Sequence, residues 1–405
     1  MTSATTAAIV WDEALAGYDF GASHPMHPIR LELTALLADS FGLPDGALIL
    51  DAPIASRCEL EQVHDPAFLD ALNAASLPTA DRPAASSLNR WGLATPEVPV
   101  FEGMADASAR LVGGSLNAIR AILDGRTRRA VHFAGGMHHA KHAFAGGFCV
   151  LNDIVAALQT ALDAGEQHIV YLDLDVHHGD GVEQAFWNDP RVTTISIHQS
   201  GQSLYPGTGF IQDAGGPNAA GHAINIPVPG GTRPADWLRL LDAVVMPLIR
   251  TIRPTLLVTQ HGADTHRIDP LADLDLTIEA QRAAMLMCRD AAQEAAGGRW
   301  LALGGGGYSV ADVVPRSWTH LIGVVRGLDV DASAVIEPGV LEQLRMRAEQ
   351  AGVTPPRDFT TMGDGEAAEF TPWEAGFNPE HPVDRLALAV RRAHFPEWGL
   401  DPLLD

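Results

Sequence analysis

The chain has 405 residues, enough for one large α/β domain or two ordinary ones, and its hydrophobic content of 46% is ample for a sizeable core. A formal net charge of −23, with Lys141 the single lysine, excludes the clustered basic surface that nucleic-acid binding needs, while an acidic surface favours encounters with basic peptides. No apolar run is long enough to span a bilayer and the start Met1-Thr-Ser-Ala-Thr-Thr lacks the basic character of a secretory signal, so a soluble, cytoplasmic protein without membrane contact is expected.

In chain order, Thr6–Trp11 reads as a first strand, and the Pro-rich stretch 17–30 as a loop before an amphipathic helix over 31–37. Residues 77–100, rich in Pro, Ala and Ser, predict a long surface loop. Helical spacing over 109–122 and a short strand over 129–133 lead to Gly135-Gly-Met-His-His-Ala-Lys-His-Ala-Phe-Ala-Gly-Gly-Phe-Cys149. Its paired histidines, His138 and His139, stand among glycines that let a ligand approach the backbone, a plausible acid/base couple. A helix over 152–164 precedes the β-branched, apolar run from His168, which has the pattern of a strand buried on both faces.

That strand runs into Tyr171-Leu-Asp-Leu-Asp-Val-His-His-Gly-Asp-Gly181. Alternation along a strand places Asp173, Asp175 and His177 on one side if the extended backbone persists, a metal-site candidate at the strand end where open α/β sheets bind ligands. Burying unpaired carboxylates is costly, and a cation is the usual remedy. The three cysteines Cys58, Cys149 and Cys288 are widely spaced, so any metal is held by His and carboxylates rather than thiolates. A helix over 182–187, a strand over 191–198 and a loop over 200–221 holding Tyr205 follow; Tyr205 either lines a pocket or anchors its loop. Next come a helix over 236–252, a strand over 254–260 ending in His261-Gly-Ala-Asp264, a helix over 277–295, and a strand over 299–303 that delivers Gly304-Gly-Gly-Gly-Tyr308. Asp264 offers a third ligand and Tyr308 a phenol aimed at the same cleft; on the residues alone, caps and turn roles for the aspartates stay open. The alternation of strands and helices predicts one doubly wound domain over 1–405, with a loop-rich extension from about 355 that closes in a helix over 385–392.

Taken together, Gly136-Met-His-His-Ala140, Gly147-Phe-Cys149, Asp173 through Gly181, Pro206-Gly-Thr-Gly209, Gly262-Ala-Asp264, Gly304 through Tyr308 and the C-terminal Phe370-Thr-Pro-Trp-Glu374 resemble the zinc-dependent histone deacetylase superfamily, most specifically its bacterial acetoin-utilisation branch. The resemblance implies an arginase-like, three-layer α/β/α fold on a mainly parallel eight-stranded sheet. It implies Zn²⁺ held by Asp175, His177 and Asp264, with Fe²⁺ an alternative because two carboxylates make a hard site. It also implies a structural K⁺ on the backbone carbonyls of Asp173, Asp175 and His177 with Ser196. In the implied roles His139, oriented by Asp180, is the acid/base; His138, paired with Asp173, is its electrostatic partner; and Tyr308 donates to the oxyanion. Phe148, Tyr205 and Leu271 would wall the slot for a lysine arm, and the Gly147 carbonyl would accept the substrate amide N–H. Glu97 stands near a rim position where relatives carry an aspartate that binds the substrate backbone, and Met137 departs from relatives near the acetate-release pocket.

The implied activity is hydrolysis of Nε-acetyl-lysine in proteins to lysine and acetate, with acetylated metabolic enzymes such as acetyl-CoA synthetase as substrates. Two rival readings accompany it: an amidohydrolase for small acetylated amines such as polyamines, and a silent acetyl-lysine binding module, which predicts loss of a ligand or of the tyrosine. Ureohydrolase chemistry needs additional Asp and His ligands that the sequence does not supply.

Overall fold

Eight strands, all paired in parallel, form one sheet in the computed structural model, which describes residues 7–405. In chain order they are β1 (Ala8–Val10), β2 (Leu48–Leu50), β3 (Arg129–His132), β4 (Ile169–Asp173), β5 (Val192–Gln199), β6 (Ala223–Val228), β7 (Leu256–Gln260) and β8 (Trp300–Leu303). Across the sheet they run β2-β1-β3-β8-β7-β4-β5-β6. Every residue of β4, β5, β7 and β8 is buried; β4, β7 and β8 are accordingly mostly apolar rather than alternating, whereas β5 buries Thr193, Thr194, Ser196, His198 and Gln199 among its apolar residues. Helices Met104–Leu123 and Asp153–Asp163 pack together over one face; Ile29–Ser40, Ile278–Ala295, Val313–Arg326 and Pro338–Gln350 pack over the other. The result is the expected three-layer α/β/α fold. Thr6, the start of the expected first strand, lies outside the described residues.

Local chemistry sets the helix ends. Asn152 accepts the Val155 amide at 2.9 Å and starts Asp153–Asp163, while Thr277 accepts the Ala280 amide at 3.3 Å and starts Ile278–Ala295. The expected helix over 236–252 is interrupted by a π-turn at Leu241–Val245. Pro247 has no N–H to give the Ala243 carbonyl four residues back, and the Arg391 guanidinium takes that carbonyl instead.

Arg391 belongs to the helix Pro382–His394, which covers the outer edge at β6. Arg239 ties the irregular stretch before that helix to the body: it donates to both Asp384 oxygens, at 2.6 and 2.7 Å, and to the carbonyls of Thr371, Pro372 and Gly376. Among the described residues no helix is long and apolar enough to cross a membrane.

What positions the site is the middle of the sheet. Strands β3, β8, β7 and β4 are neighbours in space although far apart in sequence, and their last residues lie level: His132 beside Leu303, Leu303 beside Gln260, Gln260 beside Asp173. The four loops leaving these ends are the histidine loop, the Asp173–Asp180 run, the Asp264 loop and the glycine tract. All four therefore meet over one point at the carboxyl edge of the sheet.

Candidate metal centre and active site

The extended backbone stops at Asp173, so the three acidic and imidazole side chains after β4 do not share one task. Asp173 turns to the histidine loop, its Oδ2 lying 2.9 Å from His138 Nδ1 and accepting the Tyr171 hydroxyl at 2.6 Å. Asp175 and His177, in the bend beyond, converge with Asp264: the imidazole Nδ1 of His177 lies 3.2 Å from Asp175 Oδ1 and 3.3 Å from Asp264 Oδ2. One ligand atom from each of the three lies within 4.8 Å of the others, and all three residues are buried.

This donor set fits a divalent cation. Protein donors orient both carboxylates: Asp175 Oδ2 accepts from Gln260 Nε2 at 2.7 Å and the Gly306 amide at 2.8 Å, Asp175 Oδ1 accepts the His177 amide at 3.0 Å, and Asp264 Oδ1 accepts the Val176 amide at 3.1 Å. The opposite oxygen of Asp264, Oδ2, is buried without any hydrogen-bond partner. Burial, and then the charge of Asp175, push Asp264 up to about 8; burial opposes charge on His177, but the two aspartates outweigh it and raise its pKa to about 10. A metal ion relieves both the orphaned oxygen and the repulsion between carboxylates. The glycines leave room for it: a Cβ on Gly306 would sit 2.0 Å from Asp264 Oδ2, and one on Gly262 would sit 2.2 Å from Asp175 Oδ2.

Beside this cluster stand two histidine–aspartate pairs whose rings are 4.0 Å apart. His139 Nδ1 lies 2.7 Å from Asp180 Oδ1, and Lys141 Nζ lies 2.9 Å from the other Asp180 oxygen. A carboxylate only accepts, so both imidazoles carry the proton on Nδ1. Burial works against charge on His138, yet Asp173 and Asp175 hold its pKa near about 9; burial, then the charge of His138, push His139 down to about 4. Burial disfavours the Asp180 carboxylate too, but His139 and Lys141 keep it well below the usual range. Tyr308 lies within reach of the cluster's charge, and burial followed by the charges of Asp264 and Asp175 keeps its phenol protonated.

The aromatic residues flank these groups. Phe148 meets Tyr308 edge-on at 5.5 Å, and Tyr205, 43% exposed, meets His139 edge-on at 5.0 Å and His177 at 6.4 Å. Tyr205 thus lines the cleft as well as holding its loop. Gly147 rests against the His139 ring, where a Cβ would lie 2.1 Å from Cδ2. Ser196 lies beside Asp173 across β4 and β5, its hydroxyl 2.8 Å from His198 Nδ1. Met137 is buried behind the site, lining a small cavity with Tyr18, Met26 and Arg30. Leu271 is half-buried on the loop after Asp264 and is linked to the cluster only through Asp269, which accepts its amide at 3.0 Å and that of Tyr308 at 2.8 Å. Glu97 is partly buried, and its Oε1 accepts the Gly147 amide at 2.5 Å.

Sequence reasoning passed over the residues that hold these groups. Arg30, buried without a carboxylate partner, donates to the carbonyls of Gly305 and Gly307 at 3.1 Å each and sets the glycine tract. Asp153 accepts the amides of Gly136 and Met137 and the Ser115 hydroxyl, fixing the histidine loop. Gln260 carried a signal, as a polar residue closing an apolar strand; Asp153 sits in the first turn of a helix, where an acidic residue is ordinary, and Arg30 lies at a helix start with no motif around it to mark a buried role.

The chain is similar to known proteins over most of its length. The family model described as histone deacetylase domain matches residues 24–325. The acetoin utilization protein AcuC of Bacillus subtilis (strain 168) is 34% identical over 320 residues, 79% of this chain and 82% of that protein. Proteins of the same name from Staphylococcus aureus (strain MSSA476) and Staphylococcus xylosus are 33% and 30% identical, each match covering 78% of this chain and 80% and 81% of theirs.

Proposed function

Because the chain belongs to the histone deacetylase family, we propose that it is a metal-dependent protein deacetylase that hydrolyses Nε-acetyl-lysine to lysine and acetate, with acetylated metabolic enzymes such as acetyl-CoA synthetase as substrates. The observation that carries this reading is the buried Asp175–His177–Asp264 group, with the His139 ring 5.8 Å from that of His177 and the Tyr308 phenol within reach of the charges of both aspartates. Zn²⁺, or Fe²⁺ given the two hard carboxylates, is the cation these residues would hold, and when bound it polarises the acetyl carbonyl and acidifies water. A structural K⁺ on the carbonyls of Asp173, Asp175 and His177 with Ser196 belongs to the same reading.

The protein's own groups supply the rest. His139, uncharged at neutral pH, takes the proton of the attacking water on Nε2 and later delivers it to the departing lysine nitrogen. Asp180 holds its ring in the tautomer that leaves Nε2 free. His138, whose positive charge Asp173 and Asp175 favour against burial in the metal-free protein, is the electrostatic partner to the negative charge that builds up during attack. Tyr308 donates its phenol proton to the acetyl oxygen as that oxygen gains charge. Phe148, Tyr205 and Leu271 offer apolar walls to a side chain that acetylation has made neutral, and the Gly147 carbonyl accepts the substrate amide N–H. The cytoplasm fits this reading, since all three cysteines are free thiols.

Metal-stripped protein resupplied separately with Zn²⁺ and Fe²⁺ tests it. Acetate release from an acetyl-lysine peptide should return with at least one metal, and Tyr308→Phe should lower the restored rate by about 10²- to 10³-fold. No acetate with either metal, or full rate in the phenylalanine variant, would sink the reading. Retained peptide binding without release would point instead to a silent acetyl-lysine module.

A further inference from the structure

Gly147 and Phe148 both have left-handed backbones, with φ of +54° and +62°. For a phenylalanine this is strained, and it persists only where the surroundings impose it. Three contacts do so. Gly146 and Cys149 exchange backbone hydrogen bonds at 3.0 and 2.8 Å, the Tyr18 hydroxyl donates to the Phe148 carbonyl at 2.8 Å, and Glu97 Oε1 accepts the Gly147 amide at 2.5 Å. The Glu97 backbone is fixed in turn, its carbonyl lying 3.2 Å from His24 Nε2, and the His24 ring packs edge-on against Phe148 at 4.6 Å. The turn so held carries the Phe148 wall and the Gly147 carbonyl, and its backbone lies directly on the His139 ring.

We propose that Glu97 is a positioning residue: its carboxylate holds the Gly147–Phe148 turn against His139 instead of gripping the backbone of a bound peptide. This rests on the hydrolase reading above and narrows it. The enzyme then reads the acetylated amine arm and takes no hold through Glu97 on the chain around it. Loss of the carboxylate should therefore penalise an acetylated small amine as heavily as an acetyl-lysine peptide.

The test uses metal-loaded wild type, Glu97→Ala and Glu97→Gln with two substrates, an acetyl-lysine peptide and N-acetylcadaverine, which has a comparable methylene arm and no peptide backbone. Glu97→Ala should lower kcat/KM about tenfold or more on both substrates, by similar factors and mainly in kcat, because the turn shifts against His139. Glu97→Gln keeps an oxygen that accepts the Gly147 amide and should recover most of the loss. Amide hydrogen exchange over residues 146–149 should be about tenfold faster in the alanine variant and return towards wild type in the glutamine variant. A loss confined to the peptide and expressed in KM, or unchanged exchange in Glu97→Ala, overturns the proposal. If wild type turns over neither substrate the hydrolase reading falls, and exchange alone still decides what Glu97 does.

Discussion

The two histidine–aspartate pairs beside the metal cluster have the same composition and nearly the same geometry, 2.9 Å in one and 2.7 Å in the other, yet their surroundings shift the two imidazoles in opposite directions. The difference lies one neighbour further out. Asp173 has no cation but His138 to answer, and Asp175 adds a second negative charge 3.9 Å from the other side of that ring. Asp180 is already shared with Lys141, and His139 also faces the cation of its neighbour. A pair's role is thus set by what its carboxylate has left to give, and pairing alone does not identify the base.

The largest effect should come from removing each imidazole in turn. His139→Ala is expected to lower kcat for acetate release by about 10²- to 10⁴-fold, the range for a lost acid/base group. His138→Ala, losing only electrostatic support, should cost no more than about 10²-fold. Equal losses would erase the distinction between the pairs.

Stability should separate them next, with opposite pH dependence. In metal-free protein His138, raised to about 9, contributes stability that is fully present below about 6.5 and is lost as pH rises through 9. His139, lowered to about 4, contributes stability present above about 6.5 and lost as pH falls towards 4. Each swing is of order 3 kcal/mol, so denaturation midpoints of the two His→Gln variants relative to wild type should converge on wild type at opposite ends of the pH range. Parallel trends would show that the surroundings do not divide the pairs.

The smallest effect sharpens the explanation. Lys141→Met leaves Asp180 with His139 as its only partner, which raises the imidazole's pKa and moves the acidic limb of the kcat/KM profile to higher pH. Because the ammonium is 38% exposed, a shift of about half a unit is expected. An unmoved limb would mean that Lys141 does not share the carboxylate.

Much of this was legible in the sequence because buried parallel strands are written as apolar runs and the site loops follow them directly. What escaped has physical causes. The edge strand β6 is broken up by Asn225 and Pro227, and a proline is tolerated there because β6 pairs on one side only. β2 is three residues long. The helix Val313–Arg326 is buried almost all round, with the polar residues Arg316 and His320 fully inside, so the polar side of its sequence does not correspond to a face in water. In the site, the chemistry-bearing side chains stood out by type, whereas Arg30 and Asp269, which hold the loops around them, act through backbone carbonyls and amides that no spacing announces.

The solitary lysine has a practical corollary. Amine-directed dyes, cross-linkers and surface couplings find one side chain on this molecule, and it is the one bonded to the carboxylate that orients His139. Stray acetylation has the same single side-chain address. On the proposed activity the molecule's own surface would offer one acetyl-lysine at most to compete for the cleft, and an occupied Lys141 would register as the same small shift of the acidic limb that Lys141→Met produces.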